Sequence, residues 1–538
     1  MLTRREILKA FLGSSIAATA CKLQNTPNRF DGTIVGASDR IGHILRERRN
    51  FEVSDENKRT IETLIVGGGI SGLSAAWQLR RKDYQDFQLL ELESRFGGTS
   101  TSDAGKPVSY PWGAHYLPVP FAENVELVEL LNEMGLVESK KEDGEIIVPE
   151  QFLVRDPEER IFYKGRWYEG LYLTAGASDK DLQQLSDFQK ELERWIAWRG
   201  ADGKRAFIVP VENCSADSEV TALDKISFAQ WLADKGFTSP RLNWYCDYAC
   251  RDDYGLKLSQ TSAWAGLFYF CSRTRAPGED SQSFITFPEG NGKFVNHFTS
   301  KVKDNIHSNA LVTEIIPNNA TVDVIYLNTK TNTPRQVTAK NVIFASPVFT
   351  APYMIRGFSS DLPFDSKQFA HNAWFVANIF LKDRPKNNFA RDFPAAWDNV
   401  FYESPSLGYV SATHQEGIDY GATILTYYYP MASEDLNQGR RKLYSLDWKE
   451  ITDVILSDME IAHKNIREIT TKIDVMRWGH AMISPRTGFM FGGERKKATD
   501  EYRGIYFAHS DLGGIAIFEE AFHHGLRAAN MIIEKSSQ

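Results

Sequence analysis

The chain has 538 residues, more than one hydrophobic core usually serves, so two domains are expected. Apolar residues make up 42% and aromatic residues 12%, enough for a packed interior and an aromatic-lined pocket. Lys and Arg number 62 against 70 Asp and Glu, a net charge of -8; this argues against a nucleic-acid partner, which needs a basic excess to displace counterions from phosphates.

In chain order, residues 1–21 read as an address and not as part of the fold. Thr3-Arg4-Arg5-Glu6-Ile7-Leu8-Lys9 resembles the twin-arginine export motif, and Ala10 to Ala20 follows as a mildly apolar stretch of small residues. Spanning a bilayer takes about 20 apolar residues, so this stretch is not a stable anchor. Ala18-Thr19-Ala20-Cys21 resembles a lipoprotein cleavage box, with Ala18 where leucine is usual. Either Cys21 becomes a lipid anchor or the leader is cleaved and the protein released. The expected partner is the twin-arginine export machinery, which carries folded proteins, and the expected location is periplasmic or exported. Residues 22–59 read as a polar tether, with the globular fold beginning near Thr60.

Ile61 to Val66 is a short apolar run, β-branched at several positions, of the length a buried parallel strand needs. It runs into Gly67-Gly68-Gly69-Ile70-Ser71-Gly72, where Gly67, Gly69 and Gly72 supply a GxGxxG pattern. The first glycine permits a tight turn, the second a close approach of diphosphate to backbone, and the third close helix–strand packing. Apolar residues at Ile70, Leu73 and Trp77 have helical spacing, and the helix N-terminus offers free N–H groups to an anion. A second strand, Phe87 to Leu90, ends at Glu91, where an acid holds the ribose hydroxyls of a dinucleotide; Glu93 is the alternative.

Further on, Cys214, Cys246, Cys250 and Cys271 are too few for a disulfide scaffold and read as small core residues. No spacing of His and Cys fits a zinc site, so no metal is implied. The polar segment from Tyr245 to Gly255 either lines a pocket or forms an internal salt-bridge network, the reading preferred here.

Glu91-Leu92-Glu93-Ser94-Arg95-Phe96-Gly97-Gly98-Thr99 resembles the acid-x-x-x-Arg-x-Gly-Gly continuation of the flavin amine oxidase and phytoene desaturase superfamily, with Thr99 where members usually have arginine. More pieces of the same resemblance follow in order: Pro288 to Gly292, Ala310 to Ile315, Asn341 to Pro347, and Arg477-Trp478 with Gly488-Phe489. It closes on Gly504 to Ala508, Asp511, and a helix that starts near Phe518 and runs through Gly525 and Ala529. Two departures stand out. The acid of the family's Ala-Gly-Glu/Asp comes one position late, at Asp511, and the Gly-Ala inside the helix reads Glu520-Ala521.

The resemblance implies FAD as cofactor and an α/β fold: a discontinuous Rossmann-type FAD-binding domain (60–115, 285–350 and 470–538) with an inserted α+β substrate domain (116–284 and 351–469). Paired glycines Gly97 and Gly98 would let a loop cross near the pyrophosphate, with Arg95 offsetting its charge. Val312 would carry backbone bonds to adenine, Asp511 would lie near the ribityl-phosphate, and the helix beginning at Phe518 would point its N-terminus at the flavin ring.

The implied function is removal of hydride from an amine or other C–H donor in a small-molecule substrate. His115, in Pro111-Trp112-Gly113-Ala114-His115-Tyr116, is the candidate acid/base near neutral pH, and Trp478 the candidate aromatic wall. Trp112 and Tyr427-Tyr428-Tyr429 are further aromatic candidates. Many flavin amine oxidases carry a lysine on the strand that here reads Ala373 to Leu381, which has none. A phytoene-desaturase-like dehydrogenase or redox-neutral isomerase on an apolar substrate, and a flavin-binding protein without turnover, therefore stand as alternatives.

Overall fold

A computed structural model describes residues 30–47, 49, 51–388 and 392–536; the twin-arginine motif and Cys21 lie outside the described residues. The chain opens with β1 (Ile34–Gly36), β2 (Lys58–Val66), α1 (Ile70–Arg81) and β3 (Phe87–Leu90). It continues through β4 (Tyr116–Pro118), β5 (Glu159–Tyr163), β6 (Arg166–Glu169), α2 (Asp179–Ala197), α3 (Pro240–Tyr254), α4 (Ala263–Cys271), β7 (Phe284–Thr286) and α5 (Gly292–Lys301). Next come β8 (Ile306–His307), β9 (Ala310–Pro317), β10 (Val322–Asn328) and β11 (Thr333–Phe344). Last are β12 (His371–Leu381), β13 (Asp398–Phe401), β14 (Gly408–Ser411), β15 (Thr423–Pro430), α6 (Leu436–Ser445), α7 (Trp448–Met459), β16 (Thr470–Ile483), β17 (Ile505–Phe507) and α8 (Phe518–Ser536).

Two large sheets organise these elements. The first runs β8-β3-β2-β11-β10-β9, with β17 also paired to β11. Its centre is parallel, β3 with β2, β2 with β11 and β11 with β17, while β9 to β11 form an antiparallel meander. Alternation sends Leu64 and Val66 to one core and Ile65 to the other, where it meets Leu89, Trp77 and Phe522. Every residue of α1 from Ile70 to Leu79 is buried, because α8 covers the face turned away from the sheet. The approach is so close that a Cβ on Gly525 of α8 would collide with Ser74 Oγ and the Ser71 carbonyl.

The second sheet runs β1-β16-β12-β15-β14-β13-β5-β6. One face packs Phe375, Ala377 and Ile379 onto Ile451 and Ile455 of α7. The opposite face carries Trp374, Val376, Tyr428 and Trp478. This is the Rossmann-type α/β domain with an α+β partner that the sequence implies.

Two sequence boundaries are corrected. Residues 470–483, assigned above to the FAD-binding domain, form β16, which pairs antiparallel with β12 in the second sheet. A motif beside a cofactor can come from either wall of a cleft, so motif order alone does not assign it to a sheet. Part of the 22–59 tether is also ordered fold: β1 pairs with β16 at Val475 and Met476, and the first globular contacts precede Thr60. A three-residue strand leaves no readable period, and its partner lies far along the chain.

Candidate active site

The turn after β2 distributes its glycines as the close-packing argument requires. Gly67 has φ +112°, and a Cβ there would sit 2.7 Å from the Ala345 carbonyl; one on Gly72 would collide with the Gly67 carbonyl. A Cβ on Gly69 would meet nothing within 4 Å, so this glycine faces open space. The Gly97-Gly98 loop docks on the same turn: Gly97 N–H donates to the Gly68 carbonyl at 2.7 Å, and Gly98 lies beside Gly69. Open space, an unblocked α1 N-terminus and two glycine loops together fit a diphosphate.

Glu91 accepts from Gly68 N–H at 2.6 Å and from Glu93 N–H at 2.7 Å, one bond on each oxygen. Each oxygen keeps a second acceptor site for a ribose hydroxyl. Burial pushes its carboxyl up to about 7 against those two backbone bonds. Glu93 likewise accepts one bond on each oxygen, both from Ser38. Val312 is buried on β9, which starts against the Glu91 loop through Ala310 N–H to the Glu91 carbonyl at 2.8 Å.

Three expected partners behave differently. Arg95 is ion-paired to Asp103 at 2.6 Å, so it does not face the diphosphate space as an unpaired cation, and the α1 N-terminus carries that task. Asp511 is fully buried; it accepts from Val348 N–H at 2.9 Å and lies 2.9 Å from His371 Nε2, tying β17 to β12 and the Ser346-Pro347 turn. Burial alone would raise its pKa, but His371 and His509 hold the carboxyl far below the usual range. The Phe518 ring packs in the core at 4.9 Å from Phe294, so only its backbone can face a cofactor.

His115 and Trp478 are brought together by one short segment. Trp478 Nε1–H donates to the Trp112 carbonyl at 2.7 Å, and the Tyr428 hydroxyl donates to the Gly113 carbonyl at 2.8 Å. His115 Nδ1 lies 3.0 Å from that hydroxyl and 3.3 Å from the same carbonyl. With the Tyr428 proton committed to Gly113, Nδ1 carries the imidazole proton and Nε2 is the acceptor. Trp397, Tyr116 and Tyr428 surround the ring, and burial lowers its pKa to about 4. Burial thus keeps His115 neutral near pH 7, the proton-accepting form, but a weaker base than an ordinary imidazole. The β12 face opposite presents Trp374, Val376 and Asn378, the last tied to the Pro111 carbonyl at 2.9 Å.

Beyond this segment lies a group of carboxyls that sequence reasoning missed. Glu159 of β5, Asp252 of α3 and Asp398 of β13 come together here, each partly accessible and surrounded by protein. Burial raises all three; Asp252 and Glu159 add repulsion at Asp398, Glu158 and Asp252 at Glu159, which reaches about 8, and Asp253 at Asp252, where Arg273 and Arg251 oppose it. Tyr248 and Tyr428 stand among them, and Arg273 offsets the neighbouring Asp253 and Glu519. The preferred salt-bridge reading holds for Arg251 and Asp247, 3.0 Å apart, but not for Asp252. Charge order along α3 was the available signal; the partners on β5 and β13 are visible only once the sheet forms. On the outer side, a surface pocket of about 490 Å³ is bordered by Pro107, Pro288, Glu289, Glu416 and Tyr420, and a small hollow beside His115 and Trp397 shares Pro288 with it.

The family model described as flavin containing amine oxidoreductase matches residues 70–533, nearly the whole described chain. The chain belongs to that family. Its similarity to oxidoreductase PigB of Serratia sp. (strain ATCC 39006) is 22% identity, covering 88% of this chain and 75% of that protein. Among solved structures it resembles putrescine oxidase bound to putrescine (TM-score 0.65, 16% identity, 89% of this chain and 100% of that one). Cyclohexylamine oxidase from Brevibacterium oxydans IH-35A is similar at TM-score 0.61 and 15% identity, over 89% and 100%. A CLA-producing fatty acid isomerase from P. acnes is similar at TM-score 0.61 and 16% identity, over 88% and 98%.

This flavin amine oxidoreductase is an FAD-dependent enzyme, and its residues fit the cofactor: Gly69 and Gly98 border the open space, and Glu91 has free acceptor sites. When bound, FAD supplies the hydride acceptor. The chain's own residues position the donor, exclude water and hold protons.

Proposed function

We propose that this enzyme removes hydride from a small amine that enters as a cation. The observation that carries the reading is the group of Glu159, Asp252 and Asp398 beside Tyr248 and Tyr428, the latter hydrogen-bonded to His115. A desolvated carboxyl group is costly alone and favourable beside an ammonium ion, while Trp and Tyr faces add cation–π attraction. Hydride departs from carbon only once the nitrogen has a lone pair, so the ammonium must lose its proton first. Asp252, raised out of the ordinary carboxylate range, is the base suited to neutral pH; neutral His115 orients Tyr428 and the Gly113 turn. The test is anaerobic flavin bleaching by primary and secondary amines against their neutral hydroxyl analogues. Bleaching by amines alone is expected, and bleaching by uncharged donors alone would overturn the reading. A peroxide assay then identifies oxygen as acceptor.

A second reading, redox-neutral isomerisation of an apolar substrate, is favoured by the lysine-free β12 strand and by the isomerase neighbour. Product formation without net bleaching would select it. We also propose export by the twin-arginine route, supported by Arg4 and Arg5, with Cys21 the candidate lipid anchor. Changing both arginines to lysine should leave folded, FAD-loaded protein in the cytoplasm.

A further inference from the structure

The segment before β2 is held at both ends. Its first half lies along β16: Ile473 N–H donates to the Asp31 carbonyl and Val475 N–H to the Thr33 carbonyl, both at 2.9 Å. After Gly36 the chain leaves that edge at Arg477, the neighbour of Trp478, with Ala37 N–H 3.5 Å from the Arg477 carbonyl. One residue later it reaches the other wall. Ser38 N–H donates to Glu93 Oε1 at 2.8 Å, and Ser38 Oγ donates to Glu93 Oε2 at 2.7 Å. Gly42 then rests against Leu92, and the His43 ring meets Tyr444 of α6 edge-on at 6.4 Å.

These contacts join the two ends of one cleft. Trp478 borders the segment where the flavin end is expected, and Glu93 lies two residues past Glu91, the ribose acid. Ser38 bonds both Glu93 oxygens, one bond on each, which makes this acid a latch between the two walls. We infer that residues 37–42 are a strap across the FAD cleft, closed by the Ser38–Glu93 pair, which must open for FAD to enter or leave.

A strap and a ligand differ in kinetics. Losing a ligand speeds release and leaves uptake unchanged; losing a strap speeds both. The experiment uses the full-length protein as wild type, Ser38→Ala, Ser38→Thr and Glu93→Ala. FAD release is followed by the rise in flavin fluorescence on dilution, and uptake by its quenching when FAD is added to stripped protein. The strap predicts at least a tenfold rise in both rates for Glu93→Ala, a smaller rise in both for Ser38→Ala, and wild-type rates for Ser38→Thr, which keeps the hydroxyl. Faster release with unchanged uptake, or no change in either rate, would overturn the assignment. Should Glu93→Ala fail to fold, Ser38→Ala alone decides by the same two rates.

Discussion

At the scale of single residues, electrostatics separates positions that look alike in the sequence. Glu91 and Glu93 are two acids in one loop, but Glu91 is held by backbone N–H groups of Gly68 and Glu93 while Glu93 is held by Ser38 of a distant segment. The Glu91 carboxyl sits at about 7 in the structure without cofactor, while ribose hydroxyls would donate to it and favour the charged form. A group with a lower pKa in the complex releases a proton on binding, so FAD affinity should rise as pH goes from 5 to 7 and level off above. Each unit of difference is worth about tenfold. Fluorescence titrations across that range test this: Glu91→Gln should flatten the slope, and a flat wild-type profile would refute the linkage. At the proposed amine site the same reasoning separates Asp252 from His115. The rate of flavin bleaching at saturating amine should climb with pH toward neutrality. In Asp252→Asn it should fall at least tenfold and lose that climb, about 1.4 kcal/mol or more. His115→Ala, which removes the anchor of Tyr428, should lower the rate while keeping the climb. An unchanged profile in Asp252→Asn would remove it as the base.

Among elements, close approach of α1 and α8 positions the phosphate end of the site. Gly525 has no room for a side chain against Ser74 and Ser71. Gly525→Val should therefore push α8 off α1 at a cost of about 1–3 kcal/mol, as overpacking does. Because α1 carries the diphosphate N-terminus, FAD content should fall along with the unfolding midpoint. A variant of wild-type stability and full FAD content would show that the helices give way without consequence. The element least legible in the sequence was β1. Its three residues pair in parallel with β16, and a one-turn period cannot be read from so short a run. By contrast β2, α1 and β3 were legible because glycines, apolar period and terminal acid recur in fixed local order.

The molecule as a whole is two sheets with the site between them: Gly69, Glu91 and Gly98 come from one wall, and His115, Trp478 and Tyr428 from the Gly113 turn and the other sheet. A cofactor touching both walls links their unfolding. Excess FAD should raise the midpoint of thermal unfolding, by about 2.7 kcal/mol of stability at a hundredfold excess over its dissociation constant. Calorimetry with and without FAD checks this, and an unshifted midpoint would mean that FAD binds the unfolded chain equally well.

The sequence by itself determined the dinucleotide turn, the FAD cofactor and the α/β class, since these rest on residues adjacent in the chain whose backbone needs are local: a left-handed glycine, a helix N-terminus, an acid at a strand end. It also supplied His115 and Trp478 as neighbours of the flavin by motif. The charge state of His115 came only from tertiary burial, which removes the water that would solvate an imidazolium. The carboxyl group of Glu159, Asp252 and Asp398 likewise exists only after β5, α3 and β13 meet. Their pKa values depend on distances between distant segments, and no local pattern encodes those distances. The partner of Glu93 was decided in the same way: a serine from the supposed tether reaches it because β1 adds to the edge of the second sheet, a long-range pairing governed by backbone hydrogen bonds and not by side-chain identity.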